Sequence, residues 1–321
     1  MYNISTQIKP VRVLLPSKKY NYFQMNKIIL ILLTVISFTT ASAQIPKDHN
    51  AQVKTDTFSR SLLWRISGNG LHKPSWLFGT IHMICPEDYF WTDSMKACLQ
   101  KSEAVCFEMN LDDPSVMIKA AASMIDSSGK KLSDYFTDEQ NTQLAKYLND
   151  SLGLQIAMFQ SMKPIALDVM LTSKNMSCPN PESYEDNILE QAKKDNKIIT
   201  GLEEVKEQID VLSSIPTDSV ISDILTSIKG GASDKNNYDE IVAAYKQQDL
   251  SALFYLIQQS NDLGNDIGIF LDDRNKKWIS RIEEKIQKQS VFFAVGAGHL
   301  WGPNGVISLL RKEGYRVEPV K

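Results

Sequence analysis

The chain has 321 residues, 43% hydrophobic and 23% charged, with a formal net charge of −3. That length and apolar content suffice for one large or two ordinary globular domains, and they exclude collagenous, mucin-like and wholly disordered classes. The slightly acidic balance offers no broad basic surface for a nucleic-acid backbone, so no nucleic-acid partner is expected.

In chain order, the first distinctive segment begins at Met25. Met25-Asn26-Lys27 leads into an apolar run from Ile28 to Phe38, then Thr39-Thr40-Ala41-Ser42-Ala43-Gln44. A basic start, an apolar stretch too short to span a bilayer and an Ala-x-Ala exit predict a signal peptide over 25–43 rather than a membrane anchor. Residues 1–24 then read as a non-native upstream extension, with Met25 the initiator. The segment ahead of Gln44 carries five basic residues (Lys9, Arg12, Lys18, Lys19, Lys27) and no acidic one, so the exported chain is more acidic than the whole. Gln44 stands where a lipoprotein needs Cys, so lipid attachment is not expected. The predicted location is the periplasm or the cell exterior.

All four cysteines (Cys85, Cys98, Cys106, Cys178) lie beyond that segment. In an oxidising compartment they permit three pairings. Cys85–Cys98, flanking a short helical stretch, is the favoured bridge. Cys106, in an apolar strand, equally suits a buried free thiol. No CxxC spacing points to thiolate-bound zinc.

Leu62–Ile66 and Trp76–Phe78 predict two strands of a hairpin about the Gly68-Asn69-Gly70 turn. A helix over about Thr92–Gln100 follows, then a buried strand Ala104–Met109. Thr137-Asp138-Glu139-Gln140 is a capping box, and Leu144, Tyr147 and Leu148 continue one apolar helical face. Tyr184–Asn196 predicts a helix, Lys197–Glu203 a strand with its exit loop, and a further helix runs through Ile209 and Leu212. Lys229–Asn237 reads as a flexible polar break. Helix is predicted on either side of Asp249-Leu250 and again over Ile267–Gln287. Strand Val291–Val295, helix Val306–Lys312 and strand Tyr315–Val320 close the chain. The pattern predicts an α/β fold in one domain over 58–320. Its central mixed sheet would be built from the N- and C-terminal segments, with a mostly helical insertion over about 115–285.

One short motif recurs. Gly79-Thr80-Ile81-His82 and Gly296-Ala297-Gly298-His299 each stand where an apolar strand ends. Glycine there would allow a sharp turn or a close approach to a ligand. Each histidine would project over the C-terminal edge of the sheet, where open α/β folds place their sites. Two imidazoles at one edge suit a divalent metal. His49, in the polar N-terminus, and His72, in the hairpin turn, read as structural or exposed.

A catalytic metal usually takes a third protein ligand. Glu108 follows the buried run Ala104–Phe107, an odd place for a charge unless it is paired or coordinated. Glu203, at the exit of the next strand, reads either as a general base on a metal-bound water or as the cap of a helix beginning at Glu204. The spacing of Arg274-Asn275 beside Asp272-Asp273 favours a solvated helix face with local ion pairs. The other reading aims the guanidinium and amide at a substrate carbonyl. Trp278, Phe254 and Tyr255 fall at helical spacing and read as core. GxSxG, Walker, HExxH and Rossmann signatures are absent from the sequence.

Together these segments resemble the TraB/GumN family. Leu63-Trp64-Arg65-Ile66 and Ser75–His82 are similar to its opening, Gly201-Leu202-Glu203 with Glu207-Gln208 to its central motif, and Arg274-Asn275 with Trp278-Ile279 to its late helix. Gly296-Ala297-Gly298-His299-Leu300, Gly305-Val306, Leu309-Leu310 and Gly314-Tyr315 resemble its closing block. Leu202-Glu203-Glu204 stands where many members read Leu-Glu-Thr.

The family includes the Tiki metal-dependent proteases and is more distantly similar to erythromycin esterases and ChaN-type haem- or iron-binding proteins. The resemblance implies an exported metal-dependent hydrolase, a peptidase first, acting on a peptide or protein substrate. Its divalent ion (Zn, Mn or Co) would be held by His82, Glu108 and His299, while Glu203, Arg274 and Asn275 complete the pocket. The alternative it implies is a non-catalytic protein that binds a peptide, haem or iron in the same cleft.

Overall fold

A computed structural model describes residues 60–174, 178, 180–229, 232–259 and 268–321. Residues 1–24, the segment 25–43 expected to be a signal peptide, and His49 lie outside them. Among the described residues, six strands form one mixed sheet in the order β4-β3-β5-β2-β1-β6. They are β1 (Leu63–Ser67), β2 (Ser75–Thr80), β3 (Ala104–Phe107), β4 (Ile198–Gly201), β5 (Val291–Gly296) and β6 (Arg316–Pro319). β4, β3, β5 and β2 run parallel, and β1 joins β2 and β6 antiparallel. The fold is α/β as the sequence predicts, with five strands contributed from either end of the chain and only β4 from the long middle.

The sequence explains the layering. β2, β3 and most of β5 are buried throughout, as strands covered on both faces must be, and their runs are continuously apolar rather than alternating. The turn between β1 and β2 passes Gly68, Asn69 and Gly70, all at positive φ, where glycine and asparagine are at ease. Trp64, Phe78, Phe292, Phe293 and Trp278 fill the core around the sheet.

Most of the middle is helical. α1 (Asp93–Lys101) starts at Thr92, whose hydroxyl accepts from Met95 N–H, and α2 spans Pro114–Ser123. α3 (Asp138–Leu152) opens with the Thr137/Gln140 capping box and ends at Gly153, in the left-handed region. α4 (Pro164–Lys174) and α7 (Thr217–Ile228) pack with α3 into a second core around Leu144, Leu148, Leu167, Leu171 and Ile224. Between them lie α5 (Tyr184–Lys194) and α6 (Val205–Ser213). α8 (Ala232–Lys246) and α9 (Leu250–Gln259) follow, then one turn of π-helix (Gly268–Asp272) running into α10 (Asp273–Lys288), and finally α11 (Val306–Lys312). The polar break expected over Lys229–Asn237 is shorter than that: helix resumes at Ala232, since apart from Gly230-Gly231 the stretch holds no helix breaker.

The disulfide corrects the expected pairing. Cys85 bonds to Cys178, with their Cα atoms 5.7 Å apart, and Cys98 and Cys106 are buried free thiols. Cys98 lies on the inward face of α1, packed into the sheet core. Burial pushes the Cys106 thiol up to about 11. The bridge, with backbone pairing of Ile84 and Glu182, clamps the loop after β2 to the segment leading into α5. Among the described residues no helix is long and apolar enough to cross a membrane.

Candidate functional site

The four parallel strands end side by side, and the residues that follow them meet at one edge. His82 comes from the exit of β2, Glu108 from β3, Glu203 from β4, and His299 from a 3-10 turn after β5. This is the crevice beyond the carboxyl ends of the strands where α/β sheets hold ligands. Gly201 makes the β3–β4 approach possible: a Cβ there would lie 2.4 Å from Asn110 N. The tight contact lets Glu203 N–H donate to Glu108 O at 2.8 Å and aligns the two exits.

Each histidine is fixed through Nδ1. His299 Nδ1 lies 2.7 Å from Asn275 Oδ1, while Asn275 Nδ2 donates to Asn304 O at 2.9 Å. A carbonyl only accepts, so the amide is oriented with Oδ1 toward the ring; Nδ1 carries the proton and Nε2 the lone pair. Burial disfavours the charged ring and Arg274 adds to this against Glu108, so the pKa falls to about 3.

His82 Nδ1 lies 2.9 Å from Glu185 Oε1, which also accepts from Thr80 Oγ1 at 2.6 Å. Burial works against a charged His82, but Glu185, through charge and hydrogen bond, outweighs it and the pKa rises. The His82 side chain keeps 24% of its surface exposed, the more open of the two rings.

Arg274 ties the carboxylates together. Its Nη2 donates to Glu108 Oε2 at 2.7 Å and to Glu203 Oε1, its Nε to Glu203 Oε2 at 3.2 Å, and its Nη1 meets His299 Nε2 at 3.1 Å. Trp278 Nε1 donates to Glu203 Oε2 at 3.1 Å, and its ring stacks on His299 with centroids 4.4 Å apart. Glu108 also accepts from Gly296 N–H at 2.8 Å and from Gln208 Nε2 at 3.2 Å. Burial alone would raise the Glu108 pKa, but the charge of Arg274 leads the opposing effects and the value drops to about 2.

These contacts decide between the readings left open by the sequence. Arg274 turns inward rather than forming a solvated face with Asp272 and Asp273; its side chain is only 12% exposed. Glu204, not Glu203, caps α6, in a capping box with Glu207. Asn275 is buried and engages His299 and Asn304 instead of facing outward. Of the three aromatics expected in the core, Tyr255 is exposed and Trp278 belongs to the site as well as the core.

Three participants escape a linear reading. Glu185 sits in the first turn of α5, where a carboxylate usually only complements the helix dipole. Trp278 has the spacing of core, and Gln208 has no signal beyond the family motif.

The donor chemistry suits a divalent ion. Two imidazoles anchored through Nδ1 leave Nε2 for ligation, the arrangement that orients metal-binding histidines, and Glu108 is held ionised. The absence of a side chain at Gly296 leaves space among the same donors. A Cβ there would lie 3.3 Å from Glu108 Oε1 and 3.7 Å from His82 Nε2. Gln208 Oε1 is buried without a hydrogen-bond partner, although Nε2 must face Glu108 because a carboxylate needs a donor. Against this, no three His, Cys, Asp or Glu among the described residues are placed as a ready cage. In addition, Arg274 Nη1 occupies the lone pair that His299 would give an ion.

The edge is thus a buried centre of histidines, carboxylates and one arginine at the switch side of an α/β sheet. The chain belongs to the TraB/PrgY/gumN family, whose model matches residues 62–319. It is 24% identical over 316 residues to Metalloprotease TIKI2 of Danio rerio, covering 80% of this chain and 60% of that protein. It is likewise 24% identical over 319 residues to Metalloprotease TIKI1 of Homo sapiens, covering 80% and 61%. A Metalloprotease TIKI homolog of Nematostella vectensis is 22% identical over 324 residues, covering 81% and 67%. The chain therefore spans about three fifths of the length of the first two relatives. No solved structure matches it.

Proposed function

We propose that this chain is an exported metal-dependent hydrolase of peptide bonds, working where His82, Glu108 and His299 converge. The observation that carries the reading is the delivery of two Nδ1-anchored imidazoles and two carboxylates from four adjacent parallel strand ends. His82, His299 and Glu108 would hold a zinc, manganese or cobalt ion, and the bound ion would supply a polarised water and a Lewis acid for the scissile carbonyl.

The chain's own groups divide the remaining work. Glu185 and Asn275 hold the two rings with Nε2 toward the centre. Both oxygens of Glu203 are engaged by Arg274 and Trp278, so its part is to position the guanidinium. Glu108 Oε1, on the side of the histidines, is the carboxylate oxygen placed to join them as a ligand, since Arg274 and Gln208 hold Oε2. Arg274 supplies the fixed positive charge against which a developing oxyanion would be stabilised. Two features support export: the signal-peptide pattern of 25–43 and a disulfide of the kind kept in oxidising compartments.

The test is turnover. Purified protein starting at Gln44 is incubated with a peptide library and Zn, Mn or Co, with a chelated control. Cleaved products that vanish on chelation support the reading. A stoichiometric complex with uncut peptide, or a Soret band with haem, would replace it with the binding-protein reading.

A further inference from the structure

The His299 ring has one lone pair to give. Asn275 is oriented by its donation to Asn304 O, which presents Oδ1 to His299 Nδ1 and places the ring proton there. Only Nε2 remains as an acceptor, and Arg274 Nη1 stands on it at 3.1 Å. An imidazole nitrogen cannot accept that hydrogen bond and ligate a cation at the same time.

The opposite edge of the guanidinium is anchored independently. Nε and Nη2 grip both oxygens of Glu203, which Trp278 Nε1 also holds, and the guanidinium carbon lies 5.0 Å from the Trp278 ring centroid. Nη1 already has a second acceptor in Phe270 O at 3.2 Å, on the π-helical turn one step before α10. Nη1 therefore stays tied to Phe270 O when it gives up His299, so the guanidinium keeps its place and its hold on Glu203 at the cost of one N–H contact. The charge balance points the same way. Glu108 and Glu203 place two buried carboxylates on one guanidinium, leaving room for more positive charge.

We propose that Arg274 is a resident placeholder for the divalent cation. Its Nη1 hydrogen bond to His299 Nε2 and ion binding at that nitrogen exclude each other, and loading the site breaks that bond while Phe270 O and Glu203 keep their grip on the guanidinium. The inference rests on the metal-site reading and adds to it a built-in competitor that sets ion affinity and keeps the metal-free site satisfied.

The experiment is a Zn titration of the whole exported chain followed by 15N NMR of the histidine rings and arginine side chains, with calorimetry on wild type and Arg274→Lys. Lysine keeps the charge but lacks the fork needed to hold Glu203 and His299 together. The metal-free wild type should show His299 as the Nδ1–H tautomer. Zn should move the His299 Nε2 and Arg274 Nη1 resonances together, at one stoichiometry. Arg274→Lys should bind Zn about tenfold tighter, the scale of one lost charge-assisted competitor.

If Zn binds while the His299 and Arg274 signals stay still, or if Arg274→Lys binds no more tightly, the placeholder idea is wrong and the metal site stands elsewhere in the cluster. If neither protein binds Zn, Mn or Co, the metal-site reading itself fails and takes this inference with it. The NMR arm uses wild type alone, so a misfolded variant leaves it intact.

Discussion

Glu185 Oε1 stands 2.9 Å from His82 Nδ1, so a residue of the helical middle orients a ring delivered by the sheet. Glu185→Gln keeps the side chain's shape and an acceptor but removes its charge. Zn affinity should fall about 10- to 100-fold, as for other partners of metal-binding histidines. The raised pKa of His82 should move back down at the same time. Calorimetry and an NMR pH titration of the His82 ring check both; an unmoved titration would mean that Glu185 only fills space.

Acid should weaken the fold in two stages. His299 has its pKa lowered from 6.5 to about 3, so below pH 6.5 the unfolded chain takes up a proton that the native chain refuses, and stability falls. Glu108, lowered from 4.5 to about 2, contributes fully above about pH 4.5 and loses its contribution as pH drops toward 2. His82 acts in the opposite sense: its contribution is present below pH 6.5 and is lost as pH rises through its raised value. The slope between pH 6.5 and 4.5 thus contains a His299 component. Denaturant unfolding of wild type and His299→Leu across that interval should show a shallower slope in the variant; equal slopes would mean that the buried ring takes up its proton normally.

The Cys85–Cys178 bridge closes a long loop, with a sequence separation of 93. Cys85→Ser/Cys178→Ser should cost about 2–5 kcal/mol of stability. Because the bridge clamps the His82 loop to the segment before α5, the pair of substitutions should also loosen the His82–Glu185 contact. Thiol counting gives a direct check. Unreduced, denatured protein should react at two thiols, Cys98 and Cys106, and native protein far more slowly at either, since both are buried.

Gly296→Ala places a methyl group 3.3 Å from Glu108 Oε1, between it and His82 Nε2. The fold should lose about 1–3 kcal/mol from crowding. Zn binding should weaken more than the Tm shift would suggest, because the methyl enters the space between donors. Thermal unfolding beside calorimetry separates the two effects, and a variant that binds Zn normally would remove Gly296 from the site.

Much of this fold is legible in the sequence for plain reasons. Strands such as Val291–Gly296 are unbroken apolar runs, and the Thr137/Gln140 capping box marks the start of α3 within a residue. The glycine in each Gly-x-x-His motif reads as freedom for a sharp turn or a close approach. Neither Gly79 nor Gly296 has a positive φ, and what each provides is room for a close neighbour.

Long-range pairings were less accessible. Arg274 beside Asp272 and Asp273 looks locally neutralised, and only the crossing of α10 over the exits of β3 and β4 turns it toward Glu108 and Glu203. Glu185 lies 103 residues from His82 and carries no mark separating it from any acidic first turn. The Cys85 pairing depends on where the middle of the chain returns, which four cysteines alone do not specify.

The central claim is that His82, Glu108 and His299 form a metal centre, and bound metal tests it most directly. Protein starting at Gln44 and its His82→Ala/His299→Ala variant are purified in parallel, supplied with Zn, Mn or Co, and analysed by mass spectrometry for metal. The account predicts close to one ion per wild-type chain and none in the folded variant. Equal metal in both, or none in wild type after all three ions are supplied, would contradict it.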